Sequence, residues 1–180
     1  MSTSRRAFLW KTAGLLAAST AGGLALRTAR AAPRPLLRPP GAGSPREFLS
    51  RCIRCSQCIQ ICPTDVLRLA GPAAMAGMGT PYVVARDRPC DLCQGREQME
   101  CISVCPTGAL QQLESRADVR MGTAVVNTQT CFPYVGVSCR ACWHACPFPD
   151  VAISFDQLGH PLVHDDACVG CGLCEHACLT

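Results

Sequence analysis

The chain has 180 residues, of which 16 are Cys, 14 Pro and 15 Gly, with only nine Phe, Trp and Tyr, so a large self-sufficient α/β core is excluded and order must come from cross-links or metal. The formal charge is +4, but five of the 17 basic residues (Arg5, Arg6, Lys11, Arg27, Arg30) lie in the first 31 positions, which hold no acid; 12 basic face 13 acidic residues beyond them. The body is therefore not basic, Lys11 is the only lysine, and Arg-rich runs interleaved with aromatics are missing, which argues against nucleic acid as a partner.

At the N-terminus, Ser4-Arg5-Arg6-Ala7-Phe8-Leu9 reads as a twin-arginine leader, followed by an apolar stretch at 13–26 and an A-x-A cleavage site, Ala29-Arg30-Ala31. Fourteen residues fall short of the roughly 20 that span a bilayer. Residues 1–31 are expected to be a signal peptide cleaved after Ala31, with an uncleaved anchor as the competing reading. The twin-arginine translocase carries folded proteins, so the address implies a periplasmic protein whose metal cofactor is inserted before export. Residues 32–43 form a Pro-rich spacer, semi-rigid and exposed. Ser44-Pro45-Arg46-Glu47 then makes a capping box that opens a short helix through Phe48 and Leu49.

The cysteines fall into four groups of four with none left over. The first is Cys52-x2-Cys55-x2-Cys58-x3-Cys62-Pro63 and the second Cys90-x2-Cys93-x7-Cys101-x3-Cys105-Pro106. The third is Cys131-x7-Cys139-x2-Cys142-x3-Cys146-Pro147 and the fourth Cys168-x2-Cys171-x2-Cys174-x3-Cys178. Cysteines at x2 spacing turn their sulfurs inward around one 4Fe-4S cubane, and in the bacterial ferredoxin pattern the cysteine after the x3 step ligates the partner cluster. Pro after that cysteine fixes the direction in which the chain leaves. Four motifs thus form two interlocked pairs and hold four 4Fe-4S clusters, with all sixteen cysteines as ligands.

Competing uses of cysteine fit the spacing less well. A disulfide framework has no reason to repeat x2, x2, x3. Zinc sites need four ligands drawn from separated pairs, whereas the first and fourth motifs carry four cysteines within eleven residues. Covalent haem requires CxxCH, and no CxxC here is followed by His. The x7 step in the second and third motifs leaves room for a displaced ligand and a three-iron cluster.

Between the motifs, apolar segments suggest hairpin-like returns: 66–70 with 81–86, 109–114 with 123–128, and 151–155 with 161–164, the last turning through Asp156 and Gly159. Residues 71–80 read as a flexible loop, and Gly77-Met78-Gly79-Thr80 lacks the third glycine of a dinucleotide fingerprint. His144, inside the third motif, is placed to hydrogen-bond a sulfur or simply to pack; Trp143 and Tyr134 are candidates to shield the same cluster. His160, His164 and His176 are scattered, and no catalytic constellation stands out. The expected fold is small, loop-rich α+β: two tandem ferredoxin-like units at 44–113 and 114–180, if the motifs pair sequentially, with nested pairing left open.

Beyond cysteine spacing, the chain resembles the NapG/MauM family of ferredoxin-type proteins at Leu37-Arg38-Pro39-Pro40-Gly41-Ala42, at 52–69, at 79–87 and at Arg120-Met121-Gly122 followed by Ala124-Val125-Val126. The resemblance implies a periplasmic protein with four 4Fe-4S clusters working beside a polytopic membrane iron-sulfur protein that oxidises quinol. Electrons would pass to a periplasmic cytochrome or reductase, of nitrate reductase type, or serve methylamine utilisation. An electron carrier rather than an enzyme is implied, possible as a subunit of a quinol dehydrogenase complex, with an accessory or maturation factor as the alternative. Members of that family run on beyond the last motif, whereas this chain ends two residues after Cys178, a departure that leaves open whether the C-terminus is truncated and how the cluster ligated by Cys178 is covered.

Overall fold

Four cysteine groups with short apolar linkers leave room only for elements of one or two helical turns and strands of three residues. The structure, a computed structural model, describes residues 35–180; the leader, its cleavage site and the start of the Pro-rich spacer lie outside the described residues. The fold is loop-rich, with short helices and two small antiparallel sheets. No helix among the described residues is long and apolar enough to cross a membrane.

Helix α1 spans Pro45–Arg51, with Pro45 in its first turn and the Ser44 hydroxyl accepting from the Glu47 N–H at 3.4 Å. The cap is one-sided, because the Glu47 carboxylate instead pairs with Arg51 at 3.1 Å and accepts from the Gln111 amide at 2.9 Å. The helix buries Phe48, whose ring lies 5.0 Å beneath the Arg38 guanidinium carbon.

Four shorter helices follow, one per motif: α2 (Gln57–Ile61), α3 (Glu100–Ser103), α4 (Ala141–Ala145) and α5 (Leu173–Ala177). Each begins one residue before the third cysteine of its motif and ends before the fourth, and α2 packs on α3 as α4 packs on α5. The entry turns of the first and fourth motifs share one conformation. Arg54 and Ser56 flank Cys55 at φ +59° and +64°, and Gly170 and Gly172 flank Cys171 at +71° and +83°. Left-handed residues on both sides of the middle cysteine let the chain coil tightly enough for x2 spacing.

Two of the three anticipated hairpins form. Strand β1 (Leu67–Leu69) pairs antiparallel with β2 (Pro81–Val83), placing Leu67 opposite Val83, and β3 (Ile153–Phe155) pairs with β4 (Pro161–Val163), placing Ile153 opposite Val163. A proline opens the second strand of each pair, a position tolerated because a two-stranded sheet has a free edge. The β3–β4 turn uses the residues expected: the Asp156 carboxylate accepts from the N–H groups of Leu158 and His160, and Gly159 takes φ +82°.

The middle linker differs. Leu110 bridges to Ala42, Gln111 donates its N–H to the Gly41 carbonyl at 2.8 Å, and no hairpin joins 109–114 to 123–128. The partner for 109–114 is the segment expected to be an exposed spacer. That segment is packed from Leu37 onward: Pro39 and Pro40 are fully buried, and the Leu37 carbonyl accepts from Val83 at 2.8 Å. Proline lacks a donor to satisfy, so a Pro-Pro pair is inexpensive to bury. Residues 71–80 are likewise tied down. Pro72–Gly77 form two short 3-10 turns that meet at a kink at Met75 (φ +49°), Arg54 donates to the carbonyls of Ala76 (3.2 Å) and Met78 (2.9 Å), and buried Thr80 accepts from Arg38 at 2.7 Å.

Phe48, Leu92, Ile102, Leu110 and Val119 form a core that continues into the fourth motif through Val169 and Cys171. Backbone bonds cross there too, from Cys90 N–H to the Cys171 carbonyl (2.9 Å) and from Met121 N–H to the Val169 carbonyl (3.1 Å). Residues Leu36–Thr180 accordingly form one compact unit.

A Cβ on Gly172 would collide with Ala85, and its φ is already left-handed. We expect Gly172→Ala to cost about 3 kcal/mol, from the strained conformation and overpacking together. Gly159→Ala has open space at φ +82° and should cost only about 1 kcal/mol. Anaerobic denaturant titration of both variants checks the difference.

Candidate metal centres

The local chain path explains where each cysteine goes. In each motif a short helix carries one cysteine near its first turn, while the final cysteine follows the helix. Cys62, Cys146 and Cys178 are C-cap residues in extended conformation, with ψ of 115°, 131° and 132°. Proline disfavours the α region for the residue before it, which accounts for Cys62 and Cys146. Cys178 takes the same conformation ahead of Leu179, so proline is not the sole determinant. In each case the final sulfur swings away from its own motif.

The sixteen cysteines, all unpaired thiols, line four cavities, four to each. Cys52, Cys55 and Cys58 share a cavity with Cys105, and Cys90, Cys93 and Cys101 share one with Cys62. Cys131, Cys139 and Cys142 are joined by Cys178, and Cys168, Cys171 and Cys174 by Cys146. Every cavity thus takes three cysteines from one motif and the last cysteine of another. The x7 steps do not disturb the sets: both long loops return their cysteines to the cavity, the third through the 3-10 turn Phe132–Val135.

Burial raises the pKa of several of these thiols. Burial first, then the crowding of Cys52, Cys55 and Cys105, pushes Cys58 up to about 11. Burial pushes Cys90 up to about 12, and burial together with Cys171, Cys168 and Cys146 does the same to Cys174. Cys101, enclosed beside Cys90 and Cys93, is raised as well. Two of the crossing cysteines behave oppositely. Partial burial is the largest influence on Cys105, but N–H groups of Leu110 and Thr107 and the Thr107 hydroxyl outweigh it and pull the thiol down. At Cys178, hydrogen bonds from the Thr180 hydroxyl and N–H lower it against partial burial, with Arg86 adding its charge.

These threonines were not singled out by spacing arguments, although the signal was present. Thr64, Thr107 and Thr180 each stand two residues after a crossing cysteine, with hydroxyl-to-sulfur distances of 3.8, 3.9 and 3.3 Å. In the third motif Phe148 takes that place. The Leu110 N–H adds a bond to the Cys105 sulfur at 3.4 Å.

The donor set fits an iron-sulfur cluster. Four thiols surround each cavity rather than closing on a point: among the described residues no three His, Cys, Asp or Glu could hold a single metal ion. An inorganic core with sulfides of its own needs such a shell of separated thiolates and N–H groups. The histidines take other partners. His144 is exposed and meets Trp143 edge-on at 5.0 Å, while the Trp143 indole N–H donates to Asp150 at 2.9 Å. Tyr134 stacks on His160 at 4.1 Å, His164 bonds Ser154 at 2.8 Å, and His176 bonds the Arg86 carbonyl at 3.0 Å.

Comparison with known proteins agrees with this chemistry. A model of a 4Fe-4S dicluster domain matches residues 51–109, and one of a 4Fe-4S binding domain matches 165–180. The ferredoxin-type protein NapG of Escherichia coli strain K12 is 46% identical across 97% of this chain and 81% of its own length. The methylamine utilization ferredoxin-type protein MauM of Methylobacillus flagellatus is 40% identical across 95% of this chain and 76% of its own, and that of Paracoccus denitrificans is 36% identical across 98% and 83%. No solved structure matches.

Thiols with raised pKa values must each release a proton to bind iron, so loading is favoured as pH rises. Iron retention against a competing chelator should fall as pH is lowered from about 8 to about 6. A retention profile flat across that range would contradict the thiol chemistry described for Cys58, Cys90 and Cys174.

Proposed function

Because the chain belongs to the family of NapG and MauM ferredoxin-type proteins, we propose that it is an electron carrier holding four 4Fe-4S clusters in two interlocked pairs. The observation that carries this reading is the grouping of sixteen thiols into four sets of four, each set drawing its last member from a different motif. One pair occupies 44–113 and the other 114–180. When bound, the clusters supply reversible one-electron transfer without a bond to substrate.

The chain's own residues set the conditions for that transfer. Cys90, Cys93, Cys101 and Cys171 are buried, which limits solvent contact at their sulfurs, and the left-handed turns at Arg54, Ser56, Gly170 and Gly172 direct the neighbouring sulfurs into their cavities. Cys55 is exposed, which gives the first cavity an edge at the surface where an electron can enter or leave. No proton need move, and no catalytic side chain is required.

Export by the twin-arginine translocase places the protein in the periplasm, beside a polytopic membrane iron-sulfur protein that oxidises quinol, as a component of a quinol dehydrogenase assembly. Electrons then pass to a periplasmic cytochrome or reductase, of nitrate reductase type. The alternative is methylamine utilisation, the process named for MauM. Each cluster with four thiolates is net anionic, so the body, with 12 basic and 13 acidic residues, becomes acidic when loaded. Docking is therefore onto basic partner surfaces.

Anaerobically purified protein should contain about 16 iron and about 16 sulfide per chain and be reduced by quinol-fed membranes that hold the partner. About 8 iron per chain would remove two of the proposed clusters. Full loading without quinol-dependent reduction would instead indicate a maturation factor. Association rates with a basic redox partner should fall as ionic strength rises, and rates independent of salt would count against the charge argument.

A further inference from the structure

Arg86 reaches from the end of the first hairpin to the last turn of the chain. Its guanidinium donates to the carbonyls of Glu175 and Cys178, each at 2.8 Å, while its own carbonyl bonds the His176 ring at 3.0 Å. It lines a groove together with Cys131, Cys142 and Cys178 of one sulfur set and Cys174 of the neighbouring set. Glu175 also lines this groove, but no carboxylate pairs with Arg86 among the ion pairs of the described residues, and its guanidinium is held at the Cys178 end by the two carbonyl bonds. The same sulfur set has a second source of stabilisation, the Thr180 hydroxyl 3.3 Å from the Cys178 sulfur. Cys146, which completes the adjacent set, has Phe148 where the other crossing cysteines have threonine.

We infer that Arg86 is a positioning and charge-tuning residue that raises the reduction potential of the site formed by Cys131, Cys139, Cys142 and Cys178, making it the electron sink of its pair. The inference rests on the four-cluster reading. One electron, drawn from quinol through the membrane partner, adds one negative charge to that site and breaks no bond. A guanidinium beside the sulfurs stabilises the added charge, and the hydroxyl of Thr180 donates to a sulfur that becomes more basic. The neighbouring site, completed by Cys146, lacks the hydroxyl, so the two members of the pair are made unequal and electrons settle on the Cys178 side. Reduction potentials respond to net charge and to hydrogen bonds at sulfur, which are the two levers present here.

The test is an anaerobic redox titration of the full loaded protein, followed by electron paramagnetic resonance, with the site identified as the signal lost in Cys139→Ala. In Arg86→Gln that signal should move furthest to lower potential, by roughly a tenfold change in the oxidised-to-reduced ratio at fixed ambient potential, about 59 mV for one electron. Arg86→Lys keeps the charge and should stay near the wild-type value, and Thr180→Val should lower the same signal without moving the others. If Arg86→Gln does not retain its clusters, Arg86→Lys and Thr180→Val decide. An unmoved signal in Arg86→Gln with iron content intact overturns the inference, as does a fall in Arg86→Lys equal to that of the glutamine variant, or no fall in Thr180→Val when the glutamine variant is lost. Iron and sulfide content of the unmodified protein reports separately on the four-cluster reading, so the two failures are distinguishable.

Discussion

The fold depends on one exchange: the last cysteine of each motif leaves its own motif and completes another's sulfur set. Cys62 and Cys105 trade places between the first two motifs, and Cys146 and Cys178 between the last two. A chain with so few large apolar side chains cannot hold two α2–α3-type helix pairs together by burial alone. The exchange converts metal affinity into folding energy, because neither motif of a pair can complete its set without the other. The extended conformation of the cysteine that ends α2, α4 and α5 is the local device for the exchange in three of the four motifs, and proline enforces it at two of them.

Around these sulfur sets the polypeptide has little regular structure, and its loop carbonyls need donors. Arginine supplies them. Arg38 and Arg54 secure residues 76–81, Arg116 bonds the carbonyls of Leu92, Cys93 and Arg96 in the tight second motif, and Arg120 reaches the Asp166 carbonyl at 3.0 Å. A guanidinium can satisfy several acceptors in one plane, which lysine cannot do, and the chain has one lysine against sixteen arginines. Arg38, Arg54, Arg86, Arg116 and Arg120 thus act as structural struts between loops. Arg86 combines that role with proximity to a sulfur set.

Much of this was legible in the order of residues. Cysteine spacing picked out the sixteen cysteines that line the four cavities, and alternation with turn residues located β1–β2 and β3–β4. What stayed hidden was non-local. Residues 37–42 have the composition of a linker, and only the tertiary fold shows that Leu110 and Val83 use them as strand partners. The same competition removed the expected middle hairpin, since 109–114 found its backbone partner upstream. Pairing between motifs is not fixed by linkers of similar length, because loop closure depends only weakly on length in that range. The Cys-x-Thr repeat was readable, yet its meaning rests on hydroxyl-to-sulfur geometry that spacing does not contain.

The exchange of crossing cysteines can be tested most directly by counting iron in paired alanine variants prepared anaerobically. Cys62→Ala combined with Cys101→Ala strikes a single sulfur set and should remove about 4 iron relative to the unmodified chain. Cys62→Ala combined with Cys52→Ala strikes two sets from one motif and should remove about 8. The reverse outcome, with the larger loss in the first pair, would mean that each motif keeps its own last cysteine and would contradict the account.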